Sequence, residues 1–241
     1  MVADLHAGLP QMGLSRISDI VQRANGLGGD VILLMGDYRA SHKFQTGTVP
    51  ITQTAPVLAG LSAPLGVWAI MGNHDWWDDR AAQLRRSGPI ETEAVLTAAG
   101  LPVLNNRAVR IETPTGHFWL AGIASQVPFV TMQGRPKPPM HDLPGTLAQL
   151  TDDGPVILLA HEPDIFAQAP PVSLVLSGHT HGGQINVFGW TPVVPSAYGS
   201  RYVYGHVHEG GRDLVVSGGL GCSGVPIRFG SPPEITVVEL S

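Results

Sequence analysis

The chain has 241 residues, of which 43% are hydrophobic and 14% are charged, and its formal net charge at pH 7 is −5. This composition excludes a disordered chain, and the acidic balance argues against a protein that binds nucleic acid. A single cysteine, Cys222, excludes an intrachain disulfide, and no apolar run in the sequence reaches the length of a membrane span.

Short apolar runs and helical patterns alternate along the first half of the chain. Residues 15–29 predict a helix with Ser15 as its N-cap and a stop at Gly26, and residues 91–100 predict a second one. The predicted apolar face of the first helix consists of Ile17, Ile20, Val21 and Ala24. The main apolar runs cover residues 31–37, 66–75, 155–162 and 172–181, with further candidate strands at 118–123 and 213–219.

The four main runs lack polar alternation, which is typical of strands buried on both faces. Strands that alternate with helices favour an α/β architecture. From about Asn105 onward, strand and turn signals outnumber helical ones, and this predicts a second, partly antiparallel sheet. We expect residues 1–241 to form one domain.

Polar residues of the types that bind metals follow these apolar runs. They are Asp4 and His6 near the chain start, Asp37 after the first run, Asn73, His74 and Asp75 after the second, His161 after the third, and His179 and His181 after the fourth. Ligands of open α/β sheets bind beyond the carboxyl ends of the strands, so these side chains converge if the strands are neighbours. In an extended chain, residues i and i+2 point the same way, which would direct each Asp-x-His or His-x-His pair to one side.

Without His74 and Asp75, the set contains two carboxylates, one amide oxygen and four imidazoles. It is too large for one tetrahedral ion and suits two divalent ions such as Mn, Fe or Zn. Two neighbouring ions need a shared ligand, and Asp37 is the candidate bridge.

Other residues near these motifs admit two interpretations. Arg39 and Lys43 are either solvated surface charges or contacts for a phosphate. Of Trp76 and Trp77, we expect one in the core and the other beside the substrate, with Trp76 as the candidate substrate contact. The remaining histidines, His42, His117, His141, His206 and His208, are expected on the surface or in strands.

The five blocks together resemble the signature of the calcineurin-like metallophosphoesterase family. The blocks are "DLH" (4–6), "GD" (36–37), "GNHD" (72–75), His161 and "GHTH" (178–181). The later stretches "GGLGCSGVPIR" and "PPEITVVEL" are similar to a bacterial subgroup of phosphodiesterases related to UDP-2,3-diacylglucosamine pyrophosphatase. Many members of that subgroup carry an N-terminal membrane anchor.

The resemblance implies a four-layer αββα sandwich, in which two mixed β-sheets are flanked by helices. It implies one ion held by Asp4, His6, Asp37 and His181, and a second held by Asp37, Asn73, His161 and His179. It also implies that a metal-bridging hydroxide attacks the phosphorus and that His74, oriented by Asp75, serves as the general acid. Asn73 and His74 would contact the substrate.

We therefore expect a phosphodiesterase or pyrophosphatase that acts on a small phosphorylated substrate, with a nucleotide-linked or lipid-linked one as candidates. A phosphomonoesterase with the same site and a non-catalytic metal-binding scaffold are the alternatives. Only three residues precede Asp4, whereas the family usually has several strand residues there, which indicates either a less rigid first metal site or a trimmed N-terminus. The expected location is a bacterial cell, either in the cytoplasm or at a membrane that a missing N-terminal segment would reach. Natural substrate, metal identity and oligomeric state stay open.

Overall fold

The computed structural model describes residues 1–40, 44–130 and 138–240. The helices are α1 (Leu14–Gly26), α2 (Ile51–Leu58), α3 (Asn73–Trp77), α4 (Arg80–Arg85), α5 (Glu91–Ala98) and α6 (Leu143–Leu147). The strands are β1 (Gly8–Leu9), β2 (Ile32–Leu34), β3 (Gly47–Thr48), β4 (Val67–Ala69), β5 (Arg107–Thr113), β6 (Gly116–Gly122), β7 (Val156–Leu159), β8 (Leu174–Ser177), β9 (Gly205–Glu209) and β10 (Arg212–Val216). Short 3-10 helices cover Pro163–Ala167, His181–Gly183 and Gly199–Tyr202.

The first sheet forms around β2 and β4, which pair in parallel. Single parallel bridges extend it on both sides, through Val2 next to β2 and Val103 next to β4. These neighbours are parallel because helical crossovers connect them along the chain. The segment that precedes Asp4 therefore lies beside the strand that precedes Asp37. All pairings recorded for this sheet in the described residues are parallel, so the expected mixed character belongs to the second sheet alone.

The second sheet has six strands in the order β5–β6–β7–β8–β10–β9. Its central strands β6, β7, β8 and β10 are parallel to one another. The hairpins β5–β6 and β9–β10 are antiparallel and form its two edges. The prediction of a second, partly antiparallel sheet after Asn105 is confirmed.

The two sheets face each other across one apolar cluster. Alternate residues of each central strand point into it, for example Leu33 of β2, Leu159 of β7 and Leu176 of β8. The residues between them, such as Leu34 and Leu158, point to the outer faces. Both faces of these strands are thus buried, which explains their lack of polar alternation. Burying each such leucine contributes about 1.5–3 kcal/mol.

Helices cover the outer faces of both sheets. The helices α1, α2 and α5 share a core with the first sheet, to which they contribute Ile17, Leu58 and Leu96 among others. The helix α6 and the 3-10 helix Pro163–Ala167 cover the second sheet through residues such as Leu143 and Phe166. The order helix, sheet, sheet, helix confirms the expected α/β sandwich.

The predicted helices form with one correction. In α1, the residues Ile17, Ile20, Val21 and Ala24 are buried, as expected. However, Gly13 occupies the N-cap position without a side-chain hydrogen bond, and Ser15 lies inside the helix. The proposed Ser15 cap is therefore wrong. The helix α5 confirms the second prediction, since Glu91 and Glu93 lie in its first turn.

The chain end lies against the chain start. The Met1 amino group donates to the Thr236 carbonyl at 2.7 Å, and the Thr236 amide donates to the Met1 carbonyl at 3.2 Å. The C-terminal segment thereby helps to fix the short stretch that precedes Asp4. Within the described residues, no helix has both the length and the apolar character that a membrane span requires.

Candidate metal centre

The seven predicted ligands lie together at the carboxyl ends of the strands. Each occupies a loop or the first residue of a helix that follows an apolar strand segment, and all seven are buried. Their exposed fractions are 0% for Asp4, 3% for His6, 1% for Asp37, 1% for Asn73, 1% for His161, 8% for His179 and 3% for His181. The loops of both sheets therefore supply one polar cluster inside an apolar surrounding.

One group within this cluster consists of Asp4, His6 and His181, each of which offers a ligand atom within 4.8 Å of the others. The Nε2 atoms of His6 and His181 are 3.1 Å apart. The Nε2 atom of His181 is 3.6 Å from Oδ1 of Asp4. These three side chains converge closely enough to hold one cation.

A second group consists of Asp37, His161 and His179, again with ligand atoms within 4.8 Å of one another. The Oδ2 atom of Asp37 is 3.2 Å from Nε2 of His161 and 3.5 Å from Nε2 of His6. Asp37 therefore lies between the two groups. Its carboxylate thus contacts one histidine of each group.

The backbone at the cluster adopts an unusual conformation. Five of the seven residues have positive φ angles, namely 53° for Asp4, 46° for His6, 56° for Asp37, 71° for His179 and 56° for His181. Such a conformation costs a non-glycine residue about 1–2 kcal/mol, and it occurs where the surrounding structure compensates for it. The Asp-x-His and His-x-His pairs are therefore not in extended chain. The expectation that an extended backbone directs residues i and i+2 to one side is wrong for these pairs. Tight loops direct these side chains inward.

Backbone carbonyls orient three of the histidines. His161 Nδ1 contacts the Met35 carbonyl at 2.7 Å, and His6 Nδ1 contacts the Arg39 carbonyl at 3.1 Å. His179 Nε2 contacts the Pro195 carbonyl at 2.8 Å. A carbonyl partner favours a proton on that nitrogen and directs the other nitrogen at the cluster.

His181 differs because its second nitrogen faces a cation. The Nη2 atom of Arg228 lies 3.0 Å from His181 Nδ1, and Arg228 also donates to the carbonyl oxygens of His181, Gly221 and Ser231. The guanidinium therefore holds the imidazole with Nε2 directed at His6 and Asp4.

Burial controls the protonation of the cluster. It lowers the pKa of His6 to about 3 and also lowers the pKa values of His179 and His181, so these rings are neutral at pH 7, as metal ligands must be. Burial raises the pKa of Asp4 to about 7. Burial opposes charge on His161, but the carboxylates of Asp37 and Asp4 outweigh it and raise the pKa of His161 well above its usual value.

A divalent cation fits this cluster. Asn73 Oδ1 is buried and has no hydrogen-bond partner among the described residues. A buried polar atom without a partner is costly, and a metal would satisfy it. Gly72 leaves room for the Asp37 carboxylate to reach the cluster, because a Cβ atom at position 72 would lie 2.2 Å from Asp37 Oδ1. Carboxylate, amide oxygen and imidazole together suit Mn, Fe or Zn.

His74 lies beside the cluster. Its backbone amide donates to Asp37 Oδ1 at 2.8 Å, and its ring packs edge-on against His6 with centroids 4.7 Å apart. The ring is also within 4.8 Å of the Trp77 ring centroid. A ligand atom of His74 comes within 4.8 Å of Asp37 and His6, so the geometry allows a ligand role as well as contact with a substrate.

Asp75 accepts hydrogen bonds from the backbone. Its carboxylate accepts from the amides of Asp37 at 2.9 Å, Gly72 at 2.8 Å and Tyr38 at 3.1 Å. Both oxygens are thus engaged by the two loops that carry Asp37 and Asn73. We expect Asp75 to help orient His74, and these bonds hold the loops on either side of it.

The structure corrects the interpretation of the two tryptophans. Trp76 is 1% exposed and packs against Phe129 in the core, so it is not available to a substrate. Trp77 is the tryptophan next to His74, and its Nε1 donates to the Val127 carbonyl at 2.8 Å. The helical turn of α3 separates the two side chains, a geometry that adjacent sequence positions do not reveal.

Arg39 lies at the edge of the site. Its guanidinium forms an ion pair with Glu91 at 3.1 Å. Arg39 also lines a cavity of about 500 Å³ together with Asp78 and Gln45. Lys43 and His42 lie outside the described residues.

The other predicted surface histidines form separate contacts. His117 contacts Asp152 at 2.9 Å, and His206 and His208 both contact Asp213 across the β9–β10 pair. His141 also lies outside the cluster, and its buried Nδ1 atom has no hydrogen-bond partner among the described residues.

Three supporting residues of the site were not predicted from the sequence. They are Gln184, Ser223 and Arg228, which contact the loops of His74 and His181. The stretch "GGLGCSGVPIR" contains two of them, and its sequence signal is its resemblance to the phosphodiesterase subgroup. No spacing signal connects it to the motifs, because its contacts are made through tertiary structure.

A family model described as calcineurin-like phosphoesterase matches residues 1–183, which contain all five blocks. The chain belongs to the calcineurin-like phosphoesterase family. This membership confirms the resemblance inferred from the motifs and agrees with the sandwich of two sheets. Residues 184–240 lie beyond the matched segment, although they contribute contacts to the site.

Three curated relatives are similar to this member of the family. It is 37% identical to the metallophosphoesterase YkuE of Bacillus subtilis over 77% of this chain and 59% of the relative. It is 32% identical to a transmembrane protein with metallophosphoesterase domain of Danio rerio over 100% of this chain and 52% of the relative. It is 32% identical to the phosphodiesterase YaeI of Escherichia coli over 99% of this chain and 80% of the relative. The chain thus spans little more than half the length of the first two relatives.

Proposed function

We propose that residues 1–241 act as one domain that hydrolyses phosphoric esters with the help of two divalent metal ions. The observation that carries this proposal is the buried cluster of carboxylates and imidazoles, in which Asp37 lies between two groups of ligand atoms. Seven buried donors are more than one tetrahedral ion can use. Membership of the phosphoesterase family supports the same reaction class.

The ligand groups suggest how two ions divide the cluster. Asp4, His6, Asp37 and His181 would hold one ion, and Asp37, Asn73, His161 and His179 would hold the other. Mn, Fe and Zn fit this mixture of oxygen and nitrogen donors. When bound, such ions neutralise charge on phosphoryl oxygens and lower the pKa of water.

His74 is proposed to donate a proton to the leaving-group oxygen. Its ring borders the cluster without lying among the seven buried donors, which suits contact with a substrate. Asp37 holds the backbone of His74, and Asp75 holds the loops of Asp37 and Asn73, so both carboxylates position the acid indirectly. We propose that Asn73, His74 and Arg39 contact the phosphoryl group.

We favour a phosphodiester or pyrophosphate over a phosphomonoester. The observation that favours it is similarity to a relative named a phosphodiesterase over almost the whole chain. The similarity of the C-terminal stretches to enzymes related to UDP-2,3-diacylglucosamine pyrophosphatase adds a nucleotide-linked or lipid-linked substrate as the candidate. A monoesterase with the same site is the second candidate function. A non-catalytic scaffold is disfavoured because all five blocks are present.

An activity panel tests the proposal. The purified chain is stripped of metal and reconstituted separately with Mn²⁺, Fe²⁺, Zn²⁺ or Mg²⁺. It is then assayed on bis-p-nitrophenyl phosphate, p-nitrophenyl phosphate and a pyrophosphate diester, and its metal content is determined by elemental analysis. We expect two ions per chain and faster turnover of the diesters. Two bound ions without turnover of any ester would leave the scaffold as the better description.

A further inference from the structure

A serine from the C-terminal part of the chain contacts the proposed acid. Ser223 Oγ lies 3.3 Å from Nε2 of His74, although 149 positions separate the two residues in the sequence. Ser223 lies outside the segment that the family model matches. A hydroxyl both donates and accepts hydrogen bonds, so it can hold an imidazole nitrogen in either protonation state.

The backbone of Ser223 is held by one side chain. Gln184 Oε1 accepts from the Ser223 amide at 2.7 Å, and Gln184 Nε2 donates to the Ser223 carbonyl at 3.0 Å. The same Nε2 atom donates to the Val225 carbonyl at 2.9 Å. Gln184 thus clamps the turn that carries Ser223 through both the oxygen and the nitrogen of its side-chain amide. The Ser223 hydroxyl takes no part in this Gln184 clamp and is directed at His74.

The clamp is continuous with the candidate metal centre. The backbone amide of Gln184 donates to the His181 carbonyl at 2.9 Å. Arg228 connects the same loop to the turn, because it contacts His181 Nδ1 at 3.0 Å and the Gly221 carbonyl at 2.7 Å. The position of Ser223 is therefore set relative to His181.

Three neighbours consequently restrict the His74 ring. The rings of His6 and Trp77 pack against the His74 ring with centroid distances of 4.7 and 4.8 Å, and Ser223 Oγ contacts its Nε2 atom. The first two contacts restrict the plane of the ring. The hydroxyl is a polar contact of Nε2, and it favours one direction of that nitrogen.

We propose that Ser223 is a positioning residue that holds the His74 ring ready to protonate the leaving-group oxygen. This inference rests on the proposed function, in which His74 is the general acid. As the bond between phosphorus and the leaving oxygen breaks, the proton passes from His74 to that oxygen. Ser223 keeps its own proton throughout and acts only on the orientation of the ring.

This role predicts a dependence on the leaving group. A nitrophenolate ion is stable and leaves with little need for a proton, whereas the more basic phenolate ion needs one. Loss of the acid's orientation should therefore slow phenyl esters more than nitrophenyl esters. A merely structural defect would slow both esters equally, because their shapes are similar.

The test compares diphenyl phosphate with bis-p-nitrophenyl phosphate in metal-reconstituted protein. Ser223→Ala should lower kcat on diphenyl phosphate about 10-fold and on the nitrophenyl ester by less than about 2-fold, a part of the 10²–10⁴-fold that general acid catalysis supplies. Ser223→Thr, which keeps the hydroxyl, should restore the lost turnover. Ser15→Ala changes an exposed serine on α1 and serves as the matched control. Gln184→Leu releases the clamp and should reproduce the same preference.

The outcomes separate the inference from the proposed function. Equal losses on both esters, or no loss on either, would overturn the role of Ser223 while leaving the hydrolase intact. If the wild-type panel identifies a monoesterase, phenyl phosphate and p-nitrophenyl phosphate replace the diester pair with the same expectation. Wild-type protein that binds metal and cleaves none of these esters would overturn both proposals.

Discussion

Two parts of this protein contain the same short pattern, His-x-His with aspartate nearby, in opposite surroundings. His179 and His181 are buried beside Asp4 and Asp37, and the backbone of both histidines is left-handed. His206 and His208 lie on the regular strand β9, with side chains 62% exposed, and both contact Asp213 on β10.

The difference shows that burial, rather than spacing, makes a candidate metal site. Water competes for exposed imidazole and carboxylate groups, and an exposed ion pair contributes only about 0–1 kcal/mol. In the buried cluster, donors without partners are costly and a cation compensates for them. The strained loops around the buried pair direct several chain segments to one point, whereas β9 and β10 contribute a single face.

The largest effect is expected from the shared carboxylate. Asp37→Ala removes the side chain that lies between both ligand groups. We therefore expect loss of most bound metal and about a 10²–10³-fold loss of hydrolysis, the range for removing one preorganised electrostatic group from an active site. Elemental analysis and the diester assay measure both. Asp213→Ala, the matched change in the exposed cluster, should leave both unchanged. Full metal content in Asp37→Ala would contradict the bridging role.

The next effect concerns the proposed acid. His74→Ala should lower kcat about 10²–10⁴-fold with metal content retained, because general acid catalysis contributes that range. His208→Ala is the control on the exposed strand and should retain wild-type turnover. A parallel loss of metal and activity in His74→Ala would instead make His74 a ligand.

A smaller effect is expected from the guanidinium behind His181. Arg228→Ala should weaken metal binding about 10–100-fold, the usual consequence of removing a group that orients a ligand. Metal titration by isothermal calorimetry measures this change. Arg201→Ala removes an exposed arginine that pairs with Glu209 and should bind metal normally. Unchanged affinity in Arg228→Ala would show that the loop orients His181 without it.

The smallest effect is expected when the exposed cluster is removed. The hydrogen bonds from His208 and His206 lower the pKa of Asp213, so they stabilise the fold above the ordinary pKa of aspartate, and this contribution is lost as the pH falls. The double variant His206→Ala/His208→Ala should therefore unfold at a slightly lower temperature at pH 7 and match the wild type in acid. Calorimetry at both pH values measures the difference. A change in the number of metal ions bound by this variant would contradict the claim that the exposed histidine pair plays no part in metal binding.

Much of the site was predictable because its residues follow strands that the sequence reveals. Apolar runs such as 31–37 and 172–181 mark central strands, and their polar ends mark the loops at one edge. Asp37 follows β2 of the first sheet and His161 follows β7 of the second, so these two residues meet because the two sheets pack face to face. Trp76 was misassigned because α3 directs adjacent residues to different sides, and periodicity over five residues is too short to reveal this.

The sequence by itself determined the main buried strands, the helices α1 and α5, and the types of ligand and their loops, since these depend on local pattern. Tertiary structure decided the left-handed turns that aim the ligands, the burial of Trp76, and the contacts of Gln184, Ser223 and Arg228. These features depend on which distant segments meet, and the free energy of such contacts comes from packing and desolvation that no local pattern encodes.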